Sequence, residues 1–366
     1  MSALSQARRA FSRGRHYARK VREGSHPRWQ ANLVRPLIRR MAQRRMLSFD
    51  ALLRLEWVSR RLLGQSLSLA AWDRMTFNDK LAYRRLRVRD PAYQIFCDKL
   101  RMRDYVAERL GAENLPQLLA VGERASEFRA RKGPYVLKAN HGSGMVTFVT
   151  EAQVLSEDQL REAESWLATD YAWGQLEWGY QGARRLLLAE ELLRGQDGST
   201  PPPDFKLFTF DGQVVMIEVH TGRFTDHRVM MRRPDWTLIE ARWVYRLPDR
   251  TDWPRPPNLD RMLDFASHLG RGIDFLRVDL YELGDRVVVG ELTTCPAAGD
   301  DKFDPQTLDA SLGRMWRRRP RQLRSPGVGA VTGSGGSSRL SARPSAATPG
   351  RPAGSRSRPR PGPAAR

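Results

Sequence analysis

Two carboxylates in the last third of the chain have the type and spacing to hold a metal ion. Asp279 and Glu291 lie in LRVDLYELGDRVVVGEL (residues 276–292), each six residues from Asp285, where two apolar runs meet. A three-residue loop or a bulge at the turn would set them opposite each other, with Cβ atoms about 5 Å apart. A two-residue loop would instead put them on opposite faces. Because like charges this close repel unless a cation lies between them, the pair predicts Mg²⁺, which prefers oxygen ligands.

A lysine followed by a glycine-containing loop is a candidate phosphate site. Lys138 lies in VLKANHGSG, an apolar strand whose loop includes Gly142 and Gly144. Glycine lets backbone N–H groups approach phosphate oxygens closely, and a fixed cation nearby adds to the attraction. The segment matches neither GxxxxGK[ST] nor GxGxxG, so an ordinary β-turn is the alternative interpretation.

A second lysine lies on a strand among aromatic residues. Lys206 shares one face of DFKLFTFDG with Phe208 and Phe210, and Asp211-Gly212 then predicts a hairpin turn. A lysine in such surroundings is costly unless it extends to water or meets an anion. Anion binding and an ordinary lysine that extends to water are therefore both open interpretations of Lys206.

A third segment ends an apolar run in two acids. Glu190 and Glu191 interrupt LLLAEELL (residues 186–193). One interpretation is a strand edge with solvated carboxylates. The other is a connector whose backbone meets an adenine edge while a carboxylate accepts from ribose hydroxyls.

These residues need a framework of strands and helices to bring them together. Residues 49–130 are predicted to be mostly helical, with a helix over 98–110 that stops at Gly111. Helices are also predicted over 156–169, where Ser156 is an N-cap, and over 258–269. Short β-rich runs make up most of the remainder: 135–138, 146–150, 186–193, 205–210, 214–220, 276–281 and 286–292. Hairpins separated by helices predict an α+β fold whose sheets are covered on one face.

The formal charge of +21 belongs to the ends of the chain. Residues 1–48 carry +12 and residues 316–366 another +12, which leaves −3 for residues 49–315. A nucleic-acid-binding domain would carry its basic stripe on the folded body, so we expect no specific nucleic-acid partner. The two cysteines, Cys97 and Cys295, form no metal-binding or disulfide pattern.

The two ends differ in character. The segment beyond residue 318 is rich in Arg, Pro, Gly and Ser and is predicted to be disordered. The segment 34–53 mixes apolar residues with paired arginines, which fits either contact with an anionic membrane surface or a basic helix packed on the body. No apolar run approaches the ~20 residues of a membrane span, and no secretory signal is visible. We therefore expect a cytoplasmic protein, and the membrane alternative would place the segment 34–53 in peripheral contact with the inner face of the membrane.

In the order and the residues of these motifs, the sequence resembles the TupA-like proteins of the ATP-grasp superfamily. These proteins are associated with bacterial cell-surface polysaccharide and teichuronopeptide synthesis. The resemblance runs from NDKLAYRRLRVRD through VLKANHGSG, DFKLFTFDG and GRFTDHR to RVDLYELGDRVVVGELTTCPAAGDDKFDP. It covers residues 72–318. It implies an ATP-grasp fold, in which two α+β subdomains grip ATP, with a basic helical extension at 1–71 and a tail at 319–366.

The resemblance also implies a role for each matching residue. Phosphate binding falls to two lysines and the glycine loop: Lys138, Lys206, His141, Gly142, Ser143 and Gly144. The adenine and ribose pocket would be lined, mainly through backbone, by Glu190, Glu191 and Leu192. The Mg²⁺ ligands would be Asp279, Glu291 and Thr293, although threonine stands where many ATP-grasp enzymes have asparagine and offers only a hydroxyl. Three arginines would steady the transferred phosphoryl group or an acidic substrate, unless they are ordinary surface residues: Arg223, Arg228 and Arg277.

The implied reaction is a carboxylate–amine ligation with ATP and Mg²⁺ as cofactors. ATP would phosphorylate a small-molecule or glycan-linked carboxylate to an acyl phosphate, which an amine acceptor would convert to an amide. A kinase on the same scaffold and a glycosyltransferase that binds a sugar nucleotide are the alternatives within enzymes. An alternative of another class is a scaffold that binds polyanions through its basic ends.

Overall fold

The fold comes from a computed structural model, which describes residues 29–317 except 63, 64, 66, 196, 197, 199, 200, 224, 225, 243–246 and 301. The tail predicted to be disordered and the first 28 residues lie outside the described residues.

The described chain alternates helices with short strands. In chain order the helices are α1 (Trp29–Gln43), α2 (Phe49–Leu62), α3 (Phe77–Arg87), α4 (Ala92–Phe96), α5 (Lys99–Leu110), α6 (Glu157–Ala168), α7 (Tyr171–Gln175), α8 (Leu259–Gly270) and α9 (Thr307–Met315). The strands are β1 (Leu118–Gly122), β2 (Tyr135–Ala139), β3 (Val146–Val149), β4 (Leu187–Glu190), β5 (Asp204–Phe210), β6 (Gln213–Thr221), β7 (Arg228–Arg232), β8 (Leu238–Ile239), β9 (Leu276–Glu282) and β10 (Val287–Thr293).

The strands form two antiparallel sheets, which confirms the predicted α+β class. The smaller sheet has the order β1-β4-β2-β3 and the larger one the order β10-β9-β5-β6-β7-β8. Each of the seven predicted strands is present. The sequence patterns missed β1, which lies inside the stretch predicted to be helical, and β7 and β8, whose short apolar cores are flanked by arginines or turn residues.

Local sequence signals account for most helix and turn positions. Ser156 and Gln159 form a capping box at the start of α6, which satisfies backbone N–H groups that have no partner within the helix. Helix α5 ends at Gly111, whose φ of +93° suits glycine. Asp211 and Gly212 both have positive φ between β5 and β6, as expected for the predicted two-residue hairpin.

The large sheet is buried on both faces, so the expectation of a single covered face is wrong for it. Phe205 and Leu207 of β5 pack in a cluster with residues of α5 and α8. Phe208 and Phe210 point the other way, into a second cluster with residues of α1, α2, α3 and α9. Each buried phenylalanine contributes about 1.5–3 kcal/mol to folding, so both layers stabilise the sheet.

The helices before residue 72 belong to the core of the body. Ile38 of α1 and Phe49 and Leu52 of α2 are buried in the cluster that also holds Phe208. In the structure this segment is packed on the body, as one of the two alternatives predicted. Membrane contact through its exposed side stays a prediction. Across the ranges that the structure describes, no helix has the length and hydropathy needed to cross a membrane.

Candidate functional site

The predicted carboxylate pair is brought together by an irregularity in β10. Val289 lies opposite Leu280, but the register then shifts so that Glu291 lies opposite Asp279. The shift falls at Gly290, where an added Cβ would lie 2.6 Å from the ring of Tyr281. The prediction that the two acids face each other is confirmed. Its mechanism differs, because the bulge is inside the strand and not at the turn.

Charged residues form a row across four strands of the large sheet. Glu291, Asp279, Lys206 and Glu218 occupy directly opposite positions on β10, β9, β5 and β6. Opposite residues in an antiparallel pair share a face, so these four side chains lie on one side of the sheet. The row places acids on both sides of a single lysine.

Lys206 meets the anions that its surroundings require. Its side chain is 5% exposed, and its Nζ donates to Asp204 Oδ2 at 2.6 Å and also to the Asp279 carboxylate. Arg223 Nη1 donates to the same oxygen of Asp204 at 3.1 Å. The buried positive charge is therefore compensated twice, as burial of an ammonium demands.

Arg277 orients Asp279 from a position two residues earlier on β9. Its Nε and Nη2 donate to the two oxygens of Asp279 at 2.6 and 2.7 Å, and Nη2 also donates to Thr293 Oγ1 at 3.2 Å. Burial lowers the pKa of the Arg277 guanidinium, but the negative charges of Asp279 and Glu291 raise this pKa by more, so that it lies above its usual value. Arg277 is thus a fixed cation beside the carboxylate pair.

The oxygen atoms around the carboxylate pair are of the kind that Mg²⁺ prefers, but they are too few to surround the ion without other ligands. Both oxygens of Asp279 are occupied by Arg277 and Lys206, while the Glu291 side chain is 35% exposed with Arg277 Nη2 4.0 Å away. Among the residues that the structure describes, no three His, Cys, Asp or Glu side chains cluster closely enough to hold a metal ion. Two carboxylates and the Thr293 hydroxyl suit an ion that completes its shell with waters and phosphate oxygens.

Lys138 lies on the small sheet in an ion-paired cluster. Its Nζ donates to Glu190 Oε2 at 2.6 Å, and Arg103 Nη1 donates to Glu190 Oε1 at 2.9 Å. Burial raises the pKa of Glu190, but Lys138 and Arg103 offset this and bring the pKa below its usual value. The carboxylate of Glu190 is therefore taken up by cations, which leaves its backbone for the predicted nucleotide contact. Lys138 is 24% exposed at its side chain.

Glu191 joins the two sheets. Its Oε1 accepts from Gln117 N and from Arg286 Nη2, each at 2.9 Å. Gln117 precedes β1, whereas Arg286 belongs to the turn between β9 and β10. Leu192 follows as a half-buried residue. The segment predicted to line the adenine and ribose pocket thus lies where the small sheet meets the large one.

The glycine loop is anchored by the start of α5. Lys99 Nζ donates to the Gly142 carbonyl at 2.5 Å, and Leu100 N donates to Asn140 Oδ1 at 2.9 Å. His141 is buried with its Nε2 3.0 Å from the Trp166 carbonyl, and burial lowers its pKa. His141 therefore supports the loop, while Gly144, with a φ of +76°, lies at its open end.

A cleft of about 370 Å³ connects the loop with Glu291 of the carboxylate pair. The predicted residues that line it are Ser143, Arg277, Glu291 and Thr293. Its other walls come from irregular segments, including Glu177, Tyr180 and Asp300, and from Arg39 of α1. The sequence patterns missed Glu177, Tyr180 and Asp300 because they lie outside the α-helices and strands, and missed Arg39 because nothing in α1 itself indicates that it faces a cleft. They also missed Lys99, whose only signal is its position at the start of a predicted helix.

Arg228 is not brought to this cleft. It begins β7, where its guanidinium donates to Asp226 at 2.8 Å and to Asp249 at 3.3 Å. Since β7 is separated from β9 by β5 and β6, the placement supports the alternative interpretation of Arg228 as a surface arginine. Arg223, by contrast, reaches the charged row through Asp204.

Several solved structures resemble the chain at low identity. They include D-alanine–D-alanine ligase from Bacillus anthracis, with 18% identity over 61% of this chain and 64% of that one, at a TM-score of 0.33. They also include the ATP-grasp ligase PsnB complexed with precursor peptide PsnA2 and AMPPNP (15% identity, 60% of each chain, TM-score 0.31). A third is phosphoribosylamine–glycine ligase from Thermotoga maritima (12% identity, 57% and 50%, TM-score 0.35). The chain thus spans about half to two-thirds of the length of these three structures.

A family model gives the assignment. No curated protein matches the sequence. The model described as TupA-like ATPgrasp matches residues 79–317, which is well over half of the chain and includes the glycine loop, both lysines and the carboxylate pair. The chain therefore belongs to the TupA-like ATP-grasp family.

Proposed function

We propose that the protein is an ATP- and Mg²⁺-dependent ligase that activates a carboxylate as an acyl phosphate and joins it to an amine. The observation that carries the proposal is the charged row of the large sheet. There Glu291 and Asp279 face each other, with Lys206 and Arg277 bound to Asp279. Acids and fixed cations side by side match what phosphoryl transfer requires, which is positioning and charge neutralisation.

The chain's own cations would bind the phosphates. Lys206 and Arg277 lie on the large sheet, Lys138 lies on the small one, and the loop that contains Ser143 and Gly144 offers backbone N–H groups. Lys206 and Arg277 would exchange part of their contact with Asp279 for phosphate oxygens as ATP enters. Arg277 lines the cleft and would steady the transferred phosphoryl group there.

Mg²⁺ would be held by Asp279 and Glu291, with the Thr293 hydroxyl as a third contact. When bound, the ion supplies positive charge to the phosphate oxygens. The backbone of Glu190, Glu191 and Leu192 would line the adenine and ribose pocket.

The proposed setting is the synthesis of a cell-surface polysaccharide in the cytoplasm, with a small-molecule or glycan-linked carboxylate as substrate. This part of the proposal is supported by the family association alone.

A trapping experiment tests the proposed reaction and does not require the acceptor to be identified. The full-length protein is incubated with ATP, Mg²⁺, hydroxylamine and a pool of carboxylates that contains the common amino acids, glucuronate and galacturonate. A ligase of this type releases ADP and phosphate and forms a hydroxamate, because hydroxylamine attacks acyl phosphates. A stable phosphorylated product without hydroxamate would assign a kinase instead, and no ADP release from the pool would contradict the proposal.

A further inference from the structure

The cleft continues beyond the phosphate-binding residues into a part that no predicted role explains. One wall is formed by Arg277, Glu291 and Thr293. The segment after α7, which contains Glu177 and Tyr180, and the turn up to Asp300 contribute a second part of the lining. An acceptor bound in this space would lie beside an acyl phosphate held at Arg277, because Arg277 lines the same cleft.

Glu177 is the free carboxylate of this space. It lines the cleft, and its carboxylate has no hydrogen bond or ion pair within the described part of the chain. Asp300, the other acid at this end, is bound by Arg60 at 2.6 Å, and Glu56 nearby is bound by Arg60 and Arg85. Glu177 is therefore the acid that is left available to a ligand.

The backbone around Glu177 is held in a constrained conformation. The preceding residue, Leu176, is buried with a φ of +53° and ψ of +44°, a left-handed conformation that is uncommon for a residue with a side chain. Arg85 Nη1 donates to the carbonyls of Gln175 and Leu176 at 3.4 and 3.2 Å. These hydrogen bonds from Arg85 of α3 hold the turn in place. Arg85 forms no ion pair with the Glu177 carboxylate.

We propose that Glu177 binds the ammonium group of the acceptor in this cleft and takes the proton that must leave before the nitrogen can attack. The inference rests on the proposed ligase function and deepens it, since it assigns the acceptor a cationic primary amine.

The step balances with the groups named. The Glu177 carboxylate accepts one proton from R′–NH₃⁺, and the freed lone pair attacks the acyl carbon of R–CO–OPO₃²⁻. The C–N bond forms as the C–O bond to phosphate breaks, and the electron pair leaves with the phosphate. The second proton of the nitrogen goes to the departing phosphate, so the products are the amide, HPO₄²⁻ and protonated Glu177.

The surroundings of Glu177 suit a base that works near neutral pH. Burial raises its pKa to about 7, against the opposing effect of Arg85. The other charged groups that act on it are Asp300, Arg39 of α1 and Glu56 of α2. A carboxylate with this pKa can both pair with an ammonium ion and accept its proton.

The test compares two nucleophiles in Glu177→Gln. Hydroxylamine is largely uncharged at neutral pH and needs no base, whereas the common amino acids, glucosamine and ethanolamine present ammonium groups. With a carboxylate identified by hydroxamate formation, we expect Glu177→Gln to make hydroxamate within about threefold of wild type. Its amide formation with the ammonium acceptors should fall by on the order of 100-fold. Amide formation by the wild type should also decline below about pH 7, whereas the hydroxamate reaction should decline only at the lower pH at which hydroxylamine itself becomes protonated.

The matched control is Glu162→Gln, the same change at an exposed residue of α6, which should leave both reactions unchanged. Equal amide formation by Glu177→Gln and wild type would overturn the inference and leave the ligase standing. Loss of both reactions in a variant that still binds ATP would place Glu177 in donor binding and also overturn it. Hydroxamate with no amide from any of these amines would overturn the amine assignment. Absence of hydroxamate in wild type would instead contradict the proposed function itself.

Discussion

Lys206 shows how one side chain links folding to the proposed chemistry. It lies between Asp204 and Asp279, both of which are buried. Arg223 and Arg277 contact the same two acids, so each carboxylate keeps one cation if the lysine is lost. The site is therefore stabilised by the charges that would also bind phosphate.

Replacing Lys206 by methionine tests its contribution to folding. We expect the free energy of unfolding to drop by about 3 kcal/mol, because two buried carboxylates lose a shared partner. Urea denaturation measures the change. Lys132→Met, at an exposed lysine, should cost less than about 0.5 kcal/mol. Equal stabilities of the two variants would show that the buried ion pairs contribute nothing to the fold.

Glu177 should make stability depend on pH in an unusual direction. Burial raises its pKa from 4.5 to about 7 in the folded state, so folding favours the protonated carboxyl. Its contribution is fully present below pH 4.5 and is lost as the pH rises through 7. Glu177→Gln should therefore be more stable than wild type at pH 8, by on the order of 2 kcal/mol, and should lose this advantage at pH 4.5. Thermal unfolding at both pH values measures it, and no pH dependence of the difference would contradict the raised pKa.

Among the elements, the β9–β10 hairpin positions the carboxylate pair through its bulge. The spacing of Asp279 and Glu291 around Asp285 predicted that they could face each other. The position of the irregularity could not be predicted from spacing, because it depends on the ring of Tyr281 lying over Gly290. Here the sequence supplied the residues, and packing between strands decided the register.

Gly290→Ala tests whether the bulge matters. The new methyl group would lie 2.6 Å from the Tyr281 ring, so we expect a loss of about 1–3 kcal/mol and weaker Mg²⁺-dependent ATP binding as Glu291 shifts. Gly174→Ala in α7, where a Cβ meets nothing within 4 Å, is the control and should be neutral or slightly stabilising. Chemical denaturation and calorimetry report the two effects. An unaltered ATP affinity in Gly290→Ala would separate the bulge from the site.

Helix α2 shows the limit of charge-based interpretation. Its arginines made the segment before residue 72 look like an extension, yet Leu52 is fully buried while Leu55 on the same helix is 38% exposed. Leu52 belongs to the same buried cluster as Phe208 of β5 and Phe77 of α3, and no local pattern predicts these long-range partners.

A pair of truncations on this helix tests its place in the core. Leu52→Ala should cost about 2–5 kcal/mol, as truncation of a buried leucine does, and Leu55→Ala should cost less than about 1 kcal/mol. Denaturation midpoints measure both. Similar small losses at the two positions would mean that α2 is an appendage after all.

At the scale of the whole molecule, two sheets and an N-terminal helix contribute to one cleft. The strands that carry Lys138, Lys206, Asp279 and Glu291 were predicted from alternation and turn residues. Residues that line the rest of the cleft, such as Arg39 of α1 and Glu177 after α7, are far apart in the sequence, and only the folded chain brings them together. Sequence patterns thus locate the residues proposed to bind phosphate and metal, whereas the proposed acceptor side of the cleft depends on tertiary structure.

The most direct test of the central claim is calorimetric titration of the full-length protein with ATP and Mg²⁺. The same titration uses GTP, UDP-glucose and an Asp279→Asn, Glu291→Gln double variant, with Asp158→Asn, Glu162→Gln on the exposed face of α6 as the matched control. We predict Mg²⁺-dependent binding that prefers ATP and weakens at least about tenfold in the first double variant alone, a loss of ~1.4 kcal/mol. Tight binding of UDP-glucose, or a folded protein that binds no nucleotide, would contradict the account.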